Sequence, residues 1–226
     1  MIKAVIFDVD GVIVDSEPIH WKTFNIDLKP YDVKIPKKRW MKEFVGTGSL
    51  HIMKTIVKEN NLIERFNVDI DKMVKHRKFA FQKYLKDHKI KTIPGFKSFK
   101  NKLKKTGVKM IIASGGHRNN VMASLKASGV DHEFKDIITG DEAKKRKPNP
   151  DIYLQAAKLI KLKPKECMAI EDSPAGVTAA KKAGMFTIGL LTTSSKKQIN
   201  HADFIIEDFM DKKAKKLLRM IKPQQS

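Results

Sequence analysis

The chain has 226 residues, 41% of them apolar, and one cysteine, Cys167. It can bury a proper core, and it excludes an internal disulfide. Its formal charge of +21 points to anionic partners. A lysine-rich solvated surface is the simpler reading, because no aromatic-interleaved basic motif or zinc-finger spacing argues for nucleic-acid binding. Apolar runs stay well short of the roughly 18 residues of a membrane span. The N-terminus reaches Asp8 too soon for a secretory signal, so a reduced, cytoplasmic protein is expected.

In chain order, Ile2–Phe7 reads as a buried strand running into Asp8-Val9-Asp10-Gly11. The strand period of two would put Asp8 and Asp10 on one side. Like charges so close raise each other's proton affinity unless a cation lies between them. Residues 16–92 read as helical and charged, with apolar spacing at Ile52, Ile56 and Phe79. Lys91-Thr92-Ile93-Pro94-Gly95 closes this segment as a turn.

Strands are then expected at Val108–Ala113, Ile137–Thr139, Met168–Ile170, Phe186–Leu191 and Phe204–Ile206. Helices are expected near 97–105, 117–128, 150–161 and 175–183, with Gly107, Gly129 and Gly184 as stops. A last helix over 208–222 would pack Met210, Ala214, Leu217, Leu218 and Ile221 onto its own domain rather than lie on a membrane. Near-continuous apolar strands alternating with helices predict an α/β fold, a parallel sheet with helices on both faces. The expected division is a core of residues 1–15 and 93–226 with a helical insertion of residues 16–92.

In such a sheet the functional crevice lies beyond the carboxyl ends of the strands. Four exits carry polar residues: Asp8 and Asp10; Ser114-Gly115-Gly116; Lys147 before Pro148-Asn149-Pro150; and Glu171-Asp172-Ser173-Pro174. Acids, a hydroxyl and an ammonium suit phosphoryl transfer, which depends on positioning and charge neutralisation. Asp8, Asp10 and Asp172 would hold a hard magnesium ion. Asp8 would attack phosphorus, Asp10 would exchange the proton, and Lys147 and Ser114 would neutralise the phosphoryl oxygens. Ser173 with Pro174, and Asn149 with Pro150, read as helix caps that set these positions.

These motifs resemble the haloacid dehalogenase-like hydrolase superfamily, in the branch with a helical cap inserted after the first strand. Asp8 to Pro18 resembles its first motif, Ser114 the second, Lys147 to Asp151 the third, and Glu171 to Gly176 the fourth. The resemblance implies a Rossmann-like core. It also implies Asp8 as nucleophile, Asp10 as acid/base, and magnesium held by Asp8, the Asp10 carbonyl and Asp172, with Glu171 supporting the metal site. Gly11, Gly115, His117 and Arg118, with His20, Gly46 and Ser49 in the cap, are the candidate substrate contacts. Retention of Asp10 and Asp172 argues against carbon–halogen cleavage.

The expected activity is hydrolysis of small phosphorylated metabolites, most plausibly sugar phosphates, through an aspartyl-phosphate. A phosphosugar mutase like beta-phosphoglucomutase is the alternative, with nucleic-acid binding a distant third. In the mutase the cap loop carries a lysine just before its glycine and an arginine three positions after it; here those places hold Val45 and Ser49. His51, Lys54, Lys42, or His117 with Arg118, are the residues left to compensate.

Overall fold

The computed structural model describes residues 1–221; Lys222, the last residue of the expected final helix, lies outside them. The chain divides into two compact units, Met1–Asp15 with Lys91–Ser226, and Ser16–Ile90.

The first unit opens with β1 (Ala4–Phe7). After residue 90 come α6 (Phe96–Lys105), β2 (Lys109–Ala113), α7 (Arg118–Ser128) and β3 (Asp136–Ile138). Then follow α8 (Asp151–Leu159), β4 (Cys167–Glu171), α9 (Pro174–Lys182), β5 (Phe186–Leu190), β6 (Phe204–Ile206) and α10 (Ala214–Arg219). The sheet is parallel throughout, in the order β3-β2-β1-β4-β5-β6. Every residue of β1 and β4 is buried, as expected for strands covered on both faces. Ala4 and Ile6 pack with Ile152, Tyr153, Ala156 and Ala179 of α8 and α9. Phe7, on the opposite face, meets Phe96 of α6 and Phe134 edge-on, at 5.8 and 5.9 Å between ring centroids.

The second unit is helical: α1 (Glu17–Leu28), a turn α2 (Lys37–Arg39) widening into a π turn at Trp40–Phe44, α3 (Ser49–Glu59), α4 (Leu62–Phe66) and α5 (Ile70–Asp87). Its core gathers Phe24, Leu28, Ile35, Trp40, Phe44, Ile52 and Ile56. Trp40 donates its indole N–H to Glu17 Oε2 at 2.9 Å, so a buried donor is satisfied.

Four local expectations are corrected. β1 stops at Phe7, and Val12, Ile13 and Val14 all donate to the Val9 carbonyl, so strand alternation does not carry from Asp8 to Asp10. Phe79 is 63% exposed and Met210 73% exposed, so neither belongs to an apolar face turned inward. The final helix begins only at Ala214. Asp208 Oδ1 accepts from the Met210 and Asp211 N–H groups, and Asp211 from those of Lys213 and Glu207. Such side-chain bonds compete with helical ones. Asn149 donates to the Arg146 carbonyl instead of capping α8, whose N-cap position is Pro150. Among the described residues no helix is long and apolar enough to cross a membrane, and Cys167 is buried.

Candidate active site

Parallel register aligns the strand exits. Phe7 lies beside Ile112 of β2 and Ile170 of β4, so Asp8 emerges next to Ala113 and Glu171. Lys147 arrives from the loop before α8, through a cis peptide bond to Pro148. Its ammonium donates to Asp8 Oδ1 at 2.8 Å, Glu171 Oε1 at 2.5 Å and the Ala113 carbonyl at 3.3 Å. All three ammonium N–H groups are thereby used.

Glu171 is fully buried and anchors the centre. Its Oε1 also accepts from Tyr153 Oη at 2.5 Å, and its Oε2 from the Asp172 N–H and Ser173 Oγ, both at 3.2 Å. The Tyr153 ring also lies 5.2 Å from the Lys147 ammonium, within cation–π range. Ser173 does cap α9, accepting from the Gly176 N–H at 3.1 Å. A carboxylate already receiving four hydrogen bonds is suited to holding its neighbours in place. Asp172 is tied in turn by the Thr193 hydroxyl.

Asp8, Glu171 and Asp172 each bring a carboxylate oxygen within 4.8 Å of the others. Burial, opposed by Lys147 and reinforced by Glu171 and Asp10, pushes Asp8 up to about 7. Burial and then the charges of Glu171 and Asp8 hold Asp172 well above the usual carboxylate range. Burial works against the Lys147 charge, but Asp8 and Glu171 overcome it and keep the ammonium protonated. Three buried carboxylates around one ammonium thus lack positive charge. The donors are all oxygens, and the set fits a hard divalent cation such as magnesium. Asp10 lies outside this cluster and pairs along the backbone with Val14.

Ser114 is buried at the end of β2 and accepts from the Gly116 N–H at 3.2 Å. Gly115 follows it in the same turn. His117 Nδ1 lies 2.6 Å from Asp141 Oδ1 and Arg118 Nη2 lies 2.8 Å from Glu142 Oε1. The loop after β3 therefore already engages both side chains. In the helical unit, Gly46 sits in the exposed turn after Phe44 with φ of 74°, and Ser49 opens α3. His20 stacks on Phe81 at 4.4 Å, with Arg77 Nη2 3.1 Å from its Nδ1.

Tyr153, Asp141, Glu142, Thr192 and Thr193 were not singled out from the sequence. Extending the strand-exit rule to the fifth strand would have found the two threonines. Nothing distinguishes Tyr153 from any other apolar-face residue of α8.

The profile for the family "Haloacid dehalogenase-like hydrolase" matches residues 5–190. Among characterised relatives, the beta-phosphoglucomutase of Bacillus subtilis (strain 168) is 30% identical over 199 residues, covering 83% of each chain. The phosphorylated carbohydrates phosphatase of Thermotoga maritima is 27% identical over 187 residues, covering 81% of this chain and 82% of the other. The crystal structure of CbbY from Rhodobacter sphaeroides in complex with phosphate superposes with a TM-score of 0.75 at 25% identity, covering 92% and 95%.

Proposed function

The chain belongs to the haloacid dehalogenase-like hydrolase family, and from that premise we propose that it is a magnesium-dependent phosphatase of small phosphorylated metabolites of the sugar-phosphate class. The observation that carries this reading is Asp8, set at the end of an inner strand with Lys147 on Oδ1 and Asp172 beside it. A phosphatase and a mutase of phosphorylated sugars among the relatives support the substrate class.

In the proposed cycle an Asp8 carboxylate oxygen attacks phosphorus, forming an aspartyl-phosphate as the bond to the leaving oxygen breaks. Asp10 gives that oxygen its proton, then takes one from the water that attacks the aspartyl-phosphate. Inorganic phosphate leaves and Asp8 is regenerated. Ser114 and Lys147 hold phosphoryl oxygens. Lys147 has no spare N–H, so a phosphoryl oxygen would displace its longest bond, the one to Ala113. Asp8, Asp172 and the Asp10 carbonyl are the proposed magnesium ligands, with Glu171 behind them. When bound, magnesium supplies the positive charge that three buried carboxylates lack and offsets charge on the phosphoryl oxygens. The helical insertion is the proposed seat of substrate selectivity, with His20, Gly46 and Ser49 as the residues to test.

The mutase reading draws on the 30% identity to beta-phosphoglucomutase. Val45 and Ser49 in the insertion, and the engagement of His117 and Arg118 by acids, weigh against it. The deciding experiment is phosphate release from a panel of sugar phosphates, nucleotides and phosphoglycolate, with and without magnesium, beside Asp8→Asn. Magnesium-dependent release that Asp8→Asn abolishes is the expected result. Isomerisation of a sugar phosphate without phosphate release would move the assignment to a mutase. Neither activity in a folded, metal-supplied protein would overturn both.

A further inference from the structure

The loop leaving β5 reaches two of the strand exits that form the site. Thr192 Oγ1 donates to the Gly11 carbonyl at 2.5 Å. Thr193 Oγ1 bonds the Asp172 carboxylate at Oδ2 and lies 3.2 Å from the Asp172 carbonyl. A hydroxyl has a single proton, and the closer carboxylate oxygen is the better-placed acceptor. Gly11 has φ of 72°, and a Cβ there would collide with the Asp172 carboxylate and the Thr193 methyl. The backbone just after Asp10 therefore packs directly against Asp172 and the threonine that holds it.

Two consecutive hydroxyls thus fasten the loop carrying Asp8 and Asp10 to the loop carrying Asp172. We propose that Thr193, assisted by Thr192, is a positioning residue for magnesium: it fixes the orientation of the Asp172 carboxylate against the nucleophile loop before any cation arrives. The Thr193 bond holds Oδ2 in place and leaves carboxylate lone pairs for a cation. Groups that hydrogen-bond a ligating carboxylate typically govern metal affinity, because they remove the cost of orienting it. This proposal rests on the magnesium-dependent reading above.

The test titrates magnesium into metal-stripped protein by calorimetry, for the native chain and for Thr193→Val, Thr193→Ala and Thr193→Ser. Valine keeps the shape and loses only the hydroxyl. Alanine serves if valine fails to fold, and serine restores the donor. The expected result is a roughly 10- to 100-fold weaker magnesium affinity for valine and alanine, with serine within about threefold of native. Each variant's melting temperature in chelator shows that it is folded. Native-strength binding by a folded valine or alanine variant would overturn the proposal, as would a native chain that binds no magnesium. Thr193-dependent binding without phosphate release from any substrate would sink the phosphatase reading and leave the clamp standing. Magnesium-dependent release with unaltered binding in Thr193→Val would do the reverse.

Discussion

Replacing Glu171 with glutamine changes one buried atom and conserves shape, yet the structure makes it costly. One carboxylate oxygen accepts from Lys147 and Tyr153, the other from the Asp172 N–H and Ser173. A glutamine has one accepting oxygen, so either rotamer turns an NH2 group toward two donors. Removing one partner of a buried ion pair costs about 3–5 kcal/mol. Relief of the repulsion that Glu171 exerts on Asp8 and Asp172 offsets part of this, leaving about 3 kcal/mol net. For a chain this long, about 2–4 °C per kcal/mol converts that to a melting temperature lower by roughly 6–12 °C. Scanning calorimetry at pH 7.5 in chelator, with Tyr153→Phe and the double variant completing a cycle, would measure both the loss and the coupling. A folded Glu171→Gln chain melting within about 2 °C of native would refute the claim that this carboxylate organises the site.

Three further outcomes follow from the same structure. His20 is pushed down to about 3, first by burial and then by Arg77, from an ordinary 6.5. Its contribution to stability is therefore complete above about pH 6.5 and lost as pH falls toward 3. The melting difference between native and His20→Gln should shrink or reverse across that window, and identical pH slopes would count against it. Asp8, raised to about 7 from 3.8, behaves oppositely in chelator. Its protonated form favours the folded state below about pH 4, and that advantage fades as pH rises through 7. Asp8→Asn should lessen this decline, with Asp172 keeping its own share, and magnesium should reverse it, as melting curves from pH 4 to 8 would show. Gly176→Ala places a methyl on the Glu171 carboxylate. It should destabilise by about 1–3 kcal/mol despite alanine's better helix propensity; a variant as stable as native in urea would contradict the packing.

Much of the sheet was legible because parallel strands buried on both faces are short, uninterrupted apolar runs. Phe204–Ile206 was read to the residue, and Met168–Ile170 lost only its two flanking positions. Strand order was not read, since pairing depends on which helix faces the sheet presents rather than on any one segment. The start of α10 escaped because Asp208 and Asp211 bind their own backbone, a local effect that an apolar count over 208–222 does not see. Asp8, Lys147, Glu171 and Asp172 could be picked out because they stand at or beyond the carboxyl ends of three strands. Tyr153 could not, because its ring is an ordinary core residue of α8 and only the direction of its hydroxyl sets it apart.

The placement of β1 also has a consequence for a chain growing from the ribosome. Val5 pairs with Met110 on one side and Met168 on the other, so its first sheet neighbour is translated more than a hundred residues after it. At about 5–20 residues per second, the strand waits roughly 5–20 s for that neighbour. The whole of Ser16–Ile90 is made in the interval. An exposed apolar segment left so long invites aggregation, and charges next to it discourage this. Asp8 and Asp10 would thus shield the newborn strand until its neighbours emerge.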